Sequence, residues 1–411
     1  MADDLNADPL TGLEETPEEV AAANTLVSRL SVVVFLEWLG AGAVLPLLPI
    51  YLRQHGATTG FVGLTMSAFF LAGLVSQFPA GRAADRTGKR PVLLAGLALY
   101  AMSSAAFLLP INTVWFLVLR FLQGGAAGAV EVAALALVSA TIPLARRGRA
   151  VSRIFSAQLA GTAIGPILGS IVGVSHMGIL FLTTALLCCV AAVPVITSSS
   201  IKAHDIRLDH HEPLLKIVAS RALVGAVLAG AALGVGVGVY ESTWTLLMSS
   251  KGASAFQIGL SWTIFSIPYV VLVRAGGWMA DHMDRRVLAI SGLFASLVFL
   301  CLYPFIPSVT LLLVLPGIEA IGFSMALPAI QGLLTQGRQP QELGRVQGIF
   351  ATSQTAMIAL TAAISGALFG LGHAIPYVAS GVVMALFLVG VVIAWAPISG
   401  RAVVPQIQDG S

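Results

Sequence analysis

Four carboxylates stand inside long apolar runs: Glu37, Glu131, Glu241 and Glu319. A carboxyl group placed in hydrocarbon is costly and is usually kept for work on protons or cations. Burial favours its neutral form, and a nearby cation favours its charged form. Such a group can take a proton from one side. It gives that proton up when a cationic cargo arrives or the site opens to the other side. One cation, Arg120, shares the apolar setting, eleven residues before Glu131. At helical rise the gap is about 16 Å, too far for a direct pair. A partner on the first apolar run, Glu37 or a carbonyl near Gly40, fits Arg120 better. Trp38 adjoins Glu37 in sequence but belongs to another face. Trp244 and Thr245 follow Glu241 by three and four residues, on its helical face. An acid beside an aromatic ring suits a lipophilic cation. Tyr240, Trp244 and Gln123 are therefore candidate cavity residues.

The elements that must carry these groups are membrane-spanning helices. The chain is 57% hydrophobic and 10% charged, against about 25% charged in a soluble domain. Its mean hydropathy is +0.91. Each span needs roughly 20 apolar residues, and twelve are expected. They start near Leu26, Phe61, Pro91, Thr113, Val151, Gly178, Leu223, Phe256, Val287, Val309, Arg345 and Ile375. The fold class is an all-α membrane protein. The expected divisions are a disordered acidic tail over 1–25, a six-helix half over 26–197 and a linker over 198–221. A second six-helix half over 222–396 and a tail over 397–411 follow. The four acids fall in spans 1, 4, 7 and 10. Glu37 and Glu319 lie well inside their spans, Glu241 toward the outer side and Glu131 toward the cytosol.

Of the 22 Lys and Arg, 18 fall in the tails or in turns after even-numbered spans. That bias puts both termini in the cytoplasm. The first 24 residues hold seven acids and no Lys or Arg, the opposite of a secretory leader. Cys188, Cys189 and Cys301 sit in apolar runs and read as reduced packing residues. The stretch His204–Glu212, "HDIRLDHHE", lacks the spacing of a metal site and reads as solvated linker. No metal and no nucleic-acid partner are expected.

The halves repeat at an offset of 196 residues. Gly81, Ala84, Asp85 and Arg90 match Gly277, Ala280, Asp281 and Arg286, and Gly148-Arg149 matches Gly344-Arg345. Glu319 is the repeat mate of Gln123. Chance register is common for Leu and Ala but rare for Asp, Arg and Gly. Such repeats mark secondary transporters, with the substrate site between the halves near the bilayer midplane.

Four short motifs sharpen this reading. Gly81, Asp85, Arg86, Gly88, Lys89 and Arg90 form a charged turn after span 2. Arg120-Phe121-Leu122-Gln123-Gly124 lies in span 4. Gly161, Gly165, Pro166 and Gly169 lie in span 5, and Leu45 to Pro49 closes span 1. Together they resemble the signatures of the major facilitator superfamily, in particular its 12-span drug:proton antiporter branch. The resemblance implies the major facilitator fold, with spans 1, 4, 7 and 10 lining a central cavity. It implies that Asp85 caps span 11 and Asp281 caps span 5 when the cytoplasmic side is closed. An anion at a helix N-terminus meets free N–H groups and the positive end of the dipole. Arg274, Arg285 and Arg286 join that expected gate; His282 and Asp284 depart from the signature. The glycine strip in span 5 lets another helix approach closely, and Pro166 removes one backbone hydrogen bond.

The expected activity is proton-coupled efflux of small amphipathic or cationic compounds by alternating access. The plasma membrane is the expected location. No enzyme chemistry and no cofactor beyond the proton gradient are expected. The partners are a small-molecule substrate, protons and membrane lipid, and the chain is expected as a monomer. Lipid or glycolipid flipping, metabolite or siderophore export, or sensing without transport are the alternatives on the same fold.

Overall fold

The computed structural model describes residues 17–110, 112–197 and 220–400. Among them run twelve long helices. The first six are α1 (Pro17–Val44), α2 (Thr59–Thr87), α3 (Lys89–Ala106), α4 (Thr113–Thr141), α5 (Leu144–Val172) and α6 (Met177–Ile196). The next is α7 (Arg221–Val239), carried on through a π turn, Tyr240–Trp244, and a last helical piece, Thr245–Ser250. Then come α8 (Ala255–His282), α9 (Arg285–Leu302), α10 (Val309–Thr335), α11 (Pro340–Leu371) and α12 (Ile375–Trp395). A short helix, Leu48–Gln54, extends the end of α1.

Eleven of these helices are long and apolar enough to cross a membrane. The exception, α3, opens on Lys89-Arg90-Pro91, which dilutes its hydropathy, yet it packs between α4 and α6 like its counterpart α9. Three helices begin earlier than expected: α1 at Pro17, α5 at Leu144 and α11 at Pro340. Pro17 and Pro340 sit at first helical positions, where a missing N–H costs nothing. Polar residues on these entries hid the starts from an apolar-run criterion. Of the expected linker, 198–221, residues 198–219 lie outside the described residues, and Ser220 and Arg221 instead cap and open α7. The motif from His204 to Glu212 falls there too, as do the ends 1–16 and 401–411.

The helix ends follow from local chemistry. Thr58, Ser220 and Ser308 each accept a backbone N–H at the start of a helix. Ser254 and Gln257 form a capping box at the head of α8. Gly88, at φ +98°, makes the reversal between α2 and α3. A side chain there would be strained.

The two halves are built alike. α1 packs on α5 and α6, as α7 packs on α11 and α12. α2 packs on α4, as α8 packs on α10. Across the seam, α2 meets α11 and α5 meets α8, again a matched pair. The outer surface carries exposed apolar side chains such as Leu71, Phe78, Leu186, Val271 and Leu386. That is the surface a lipid-embedded bundle needs.

The contacts between the halves that can be named lie toward one face. Call the face with the turns after even-numbered helices the basic face. On the opposite face the halves touch. A Cβ at Gly63 of α2 would stand 2.5 Å from Ala362 O and 2.9 Å from Gly366 Cα of α11. Thr245 donates to Pro46 O at 2.7 Å, and Thr263 donates to Ala163 O at 3.0 Å. On the basic face, Gly148, Gly277 and Gly344 look onto open space. Asp85 and Arg86 are exposed there.

Candidate transport site

Glu319 lies inside α10, three residues after Pro316. It is 3% exposed. Tyr303 OH donates to its Oε2 at 2.7 Å, and Tyr240 OH donates to its Oε1 at 3.1 Å. Both carboxylate oxygens are thus satisfied in a place where an unpaired one would be costly. The hydroxyls come from different elements: Tyr240 from the π turn of α7, Tyr303 from the end of α9.

The π turn decides which side chains meet. Such turns insert one residue into a helix and often mark functional sites. Here Tyr240 and Trp244 look into the same cavity as Glu319, while Glu241 does not line it. The expectation that Trp244 shares Glu241's face is corrected by this extra residue, which a plain 3.6-residue repeat cannot foresee. Trp244 Nε1 donates to Ser261 Oγ at 2.9 Å, so the indole is fixed.

The cavity has a volume of about 200 Å³. Tyr240, Trp244, Trp262, Phe265, Tyr269 and Tyr303 supply its aromatic wall. Leu159 and Thr162 of α5 reach in from the other half, so the cavity straddles the seam. Gln123, expected in the cavity, is instead buried in a separate network of the first half. It accepts from Arg120 Nη1 at 3.1 Å and donates to Ser104 Oγ at 2.9 Å.

Arg120 is 3% exposed. Its guanidinium stacks over Phe69, 4.3 Å from the ring centre. The expected partner on α1 is therefore corrected: Gln123, one turn along α4, and the Phe69 ring of α2 hold it. An Arg over an aromatic face is a favourable arrangement once water is excluded. Glu241 Oε2 is buried without a hydrogen-bond partner among the described residues.

Glu37 and Glu131 share a narrow crevice between α1, α4 and α5. Trp38 lines it as well, so the expectation that Trp38 turns away from Glu37 is corrected. Adjacent positions on a helix can flank one crevice when it runs along the edge between their faces.

On the basic face, Asp85 is exposed and makes no hydrogen bond among the described residues. Asp281 is 67% exposed and pairs with Arg285 at 3.1 Å. Arg285 also donates to Gly332 O at 3.2 Å and to Ala280 O at 2.9 Å. Arg90 reaches across to donate to Ile196 O. Lys89 is half-buried and Arg274 is exposed. Gly81 sits 3.7 Å, measured from an added Cβ, from Val132 of α4. Asp284 caps α9 by accepting from Arg286 N at 2.9 Å, and Arg286 Nη2 closes on it at 2.6 Å. The Arg286 guanidinium beside Asp284 holds its carboxyl below the usual range. Arg286 also donates to Ile398 O at 2.7 Å, and Gly400 O accepts from Arg285 N at 2.8 Å. The chain after α12 is thereby strapped to the head of α9.

The glycine strip of α5 packs on α1. A Cβ at Gly161 would stand 2.8 Å from Phe35 O, and one at Gly165 would stand 2.7 Å from Leu39 O. Gly169 presses on Ala43, and Gly259 of α8 presses on Pro166. The strip thus lies where α1, α5 and α8 converge beside the seam.

Sequence reasoning missed Tyr303, Phe69, Ser104 and Trp262. For Tyr303 a signal existed: the 196-residue offset pairs it with Phe107, so one half gains a hydroxyl where the other has a plain ring. The others carry no local signal. Among the described residues no group of three or more His, Cys, Asp or Glu gathers as a metal would require.

Twelve apolar helices in two like halves, with a cavity at the seam between them, have the architecture of a membrane transporter. The chain belongs to the Major Facilitator Superfamily, whose sequence profile matches residues 30–240 and 222–409. Quinolone resistance protein NorA of Staphylococcus aureus is 26% identical over 365 residues, covering 86% of this chain and 92% of that protein. Multidrug resistance protein 2 of Bacillus subtilis is 25% identical over 380 residues, covering 88% and 93%. Among solved structures, a D-xylose-proton symporter superposes with TM-score 0.74 at 14% identity, over 93% of this chain and 99% of that one. The nucleoside transporter NupG superposes with TM-score 0.71 at 14% identity, over 90% and 99%. Likeness at that identity speaks for the fold alone.

Proposed function

We propose that this transporter exports small amphipathic cations in exchange for protons, with Glu319 as the coupling carboxyl. The observation that carries this reading is a single buried acid set among aromatic rings at the seam of the two halves. Aromatic faces attract organic cations, and an apolar wall suits their hydrocarbon parts. Glu319 holds a proton or balances a cationic cargo, but not both. Competition at one carboxyl couples the two flows in opposite directions. A polyhydroxylated cargo such as a sugar needs many polar partners, and this wall offers few. The names of the Staphylococcus and Bacillus relatives support drug efflux over other cargo.

The basic face is placed in the cytosol by the positive-inside rule, with both termini there and the chain in the plasma membrane. The state described is then open to the cytosol, ready to load cargo. Asp85 and Asp281 act on the opposite state, capping α11 and α5 once the basic face closes. The span 5 strip acts at the α1–α5–α8 junction as a smooth surface for the rocking motion. Arg120, Gln123 and Glu241 form a polar relay between the halves. The chain works as a monomer without a cofactor.

Flux in sealed proteoliposomes under an imposed pH gradient tests the reading. Lipophilic cations should move against protons in wild type and not in Glu319→Gln. Full gradient-driven flux in Glu319→Gln would overturn it.

A further inference from the structure

Glu37 is 2% exposed, deeper than any other acid on the basic-face side of the first half. Its Oε1 is buried with no hydrogen-bond partner among the described residues. It looks into a crevice that also holds Glu131 of α4 and Gln158 of α5. Both carboxyl groups line this one narrow gap. On the sides away from Glu131, Tyr100 of α3 and Cys188 of α6 are the titratable groups whose charge bears on Glu37. A phenol and a thiol supply no positive charge. No Lys or Arg lines the crevice. Two carboxyls facing one gap without a cation are unstable when both are charged. For both to be charged there, something positive must sit between them; otherwise a proton neutralises at least one.

Size decides what that is. The free space is about 10 Å³, room for about one water molecule. An organic cation does not fit. A compact cation held by hard oxygens does. The oxygens on hand are those of Glu37, Glu131 and the Gln158 amide.

We propose that Glu37 and Glu131 together form a binding site for one compact monovalent cation, a sodium ion or a single proton held by the pair of carboxyls. This site is separate from the Glu319 cavity, in the other half of the molecule. It does not depend on what Glu319 does. With it, each half carries its own cation-responsive carboxyl site, and the organic cargo meets only one of them.

The test uses the whole purified protein in detergent. Thermal unfolding is compared in sodium chloride and in choline chloride at equal ionic strength. Proton release on a small upward pH step is read in parallel with an indicator dye. A sodium-specific rise in Tm that is lost in both Glu37→Gln and Glu131→Gln, and kept in Glu319→Gln, identifies a sodium site. No sodium effect, with release of a proton that both variants abolish, identifies a proton site. Either result supports one shared site. Responses that survive in both variants, or that only one of them removes, overturn it. Glu37→Asp and Glu131→Asp keep the charge and should bind about tenfold more weakly, not lose binding. If Glu37→Gln does not fold, half-buried Glu131→Gln carries the comparison alone. Binding of a lipophilic cation is measured on the same samples. It should be unchanged in the Glu37 and Glu131 variants, so failure here is distinct from failure at Glu319.

Discussion

Tyr303 OH stands 2.7 Å from Glu319 Oε2, a hydrogen bond that joins the end of α9 to the middle of α10 inside the cavity wall. A bond to a charged acceptor contributes about 1.5–3 kcal/mol. Tyr303→Phe keeps the ring and removes the donor. Proton-driven flux should fall about tenfold or more, with protein level and Tm little changed. Tyr240→Phe should do less, because its bond is longer at 3.1 Å. Transport assays on the two variants check the order.

Gly63 and Gly366 decide whether the face opposite the basic one can shut. A Cβ on Gly63 would press on Ala362 O and Gly366 Cα. Overpacking of this kind costs about 1–3 kcal/mol. Gly63→Val should therefore shift the population toward the state closed on the basic face by roughly five- to 150-fold. Cysteines placed on each face and labelled from that side read the shift directly. Unchanged labelling would sink the closure argument.

Asp85 is exposed in the state described and has no hydrogen-bond partner among the described residues. Asp85→Asn should leave the stability of this state and cargo affinity nearly unchanged. It should slow turnover, because only the state closed on the basic face loses a cap worth about 1 kcal/mol. Equal turnover in the variant would argue against the gate.

Asp284 and Arg286 strap the chain after α12 to α9. The folded carboxyl of Asp284 is held below its ordinary value of 3.8, first by the Arg286 side-chain hydrogen bond. The stabilisation it lends is therefore fully present above that value and is lost as pH falls through the lower, folded one. A spin label at Ser399→Cys should stay immobile at neutral pH and loosen only in acid. In Asp284→Ala it should be loose at all pH, with α9 destabilised by about 1 kcal/mol through the lost cap.

Arg120→Lys should uncouple the first-half network. Lysine is a point charge and does not reproduce the stacking on Phe69 or the planar fork toward Gln123. Flux should fall while Glu319-dependent cargo binding persists, which equilibrium binding and transport on one preparation can separate.

The sequence alone determined the membrane class, the two-fold repeat, the family and the four embedded acids. These are local or periodic properties. Apolar length sets a span, the excess of Arg and Lys sets a face, and a constant offset shows a duplication. It did not determine which acid meets which ring. Glu241 and Glu319 looked alike as acids in repeat-related spans, yet only Glu319 lines the aromatic cavity. The difference lies in the π turn at Tyr240–Trp244, which turns Tyr240 and Trp244 inward and Glu241 away. The same holds for Arg120, which stacks on Phe69 of α2, and for its partner Gln123, which bonds Ser104 of α3. Which face of a helix points at a neighbour depends on how all twelve pack. One inserted residue rotates a helix face by about 100°, and no composition or spacing rule records it. Tertiary packing alone separated one aromatic site from one narrow acid pair.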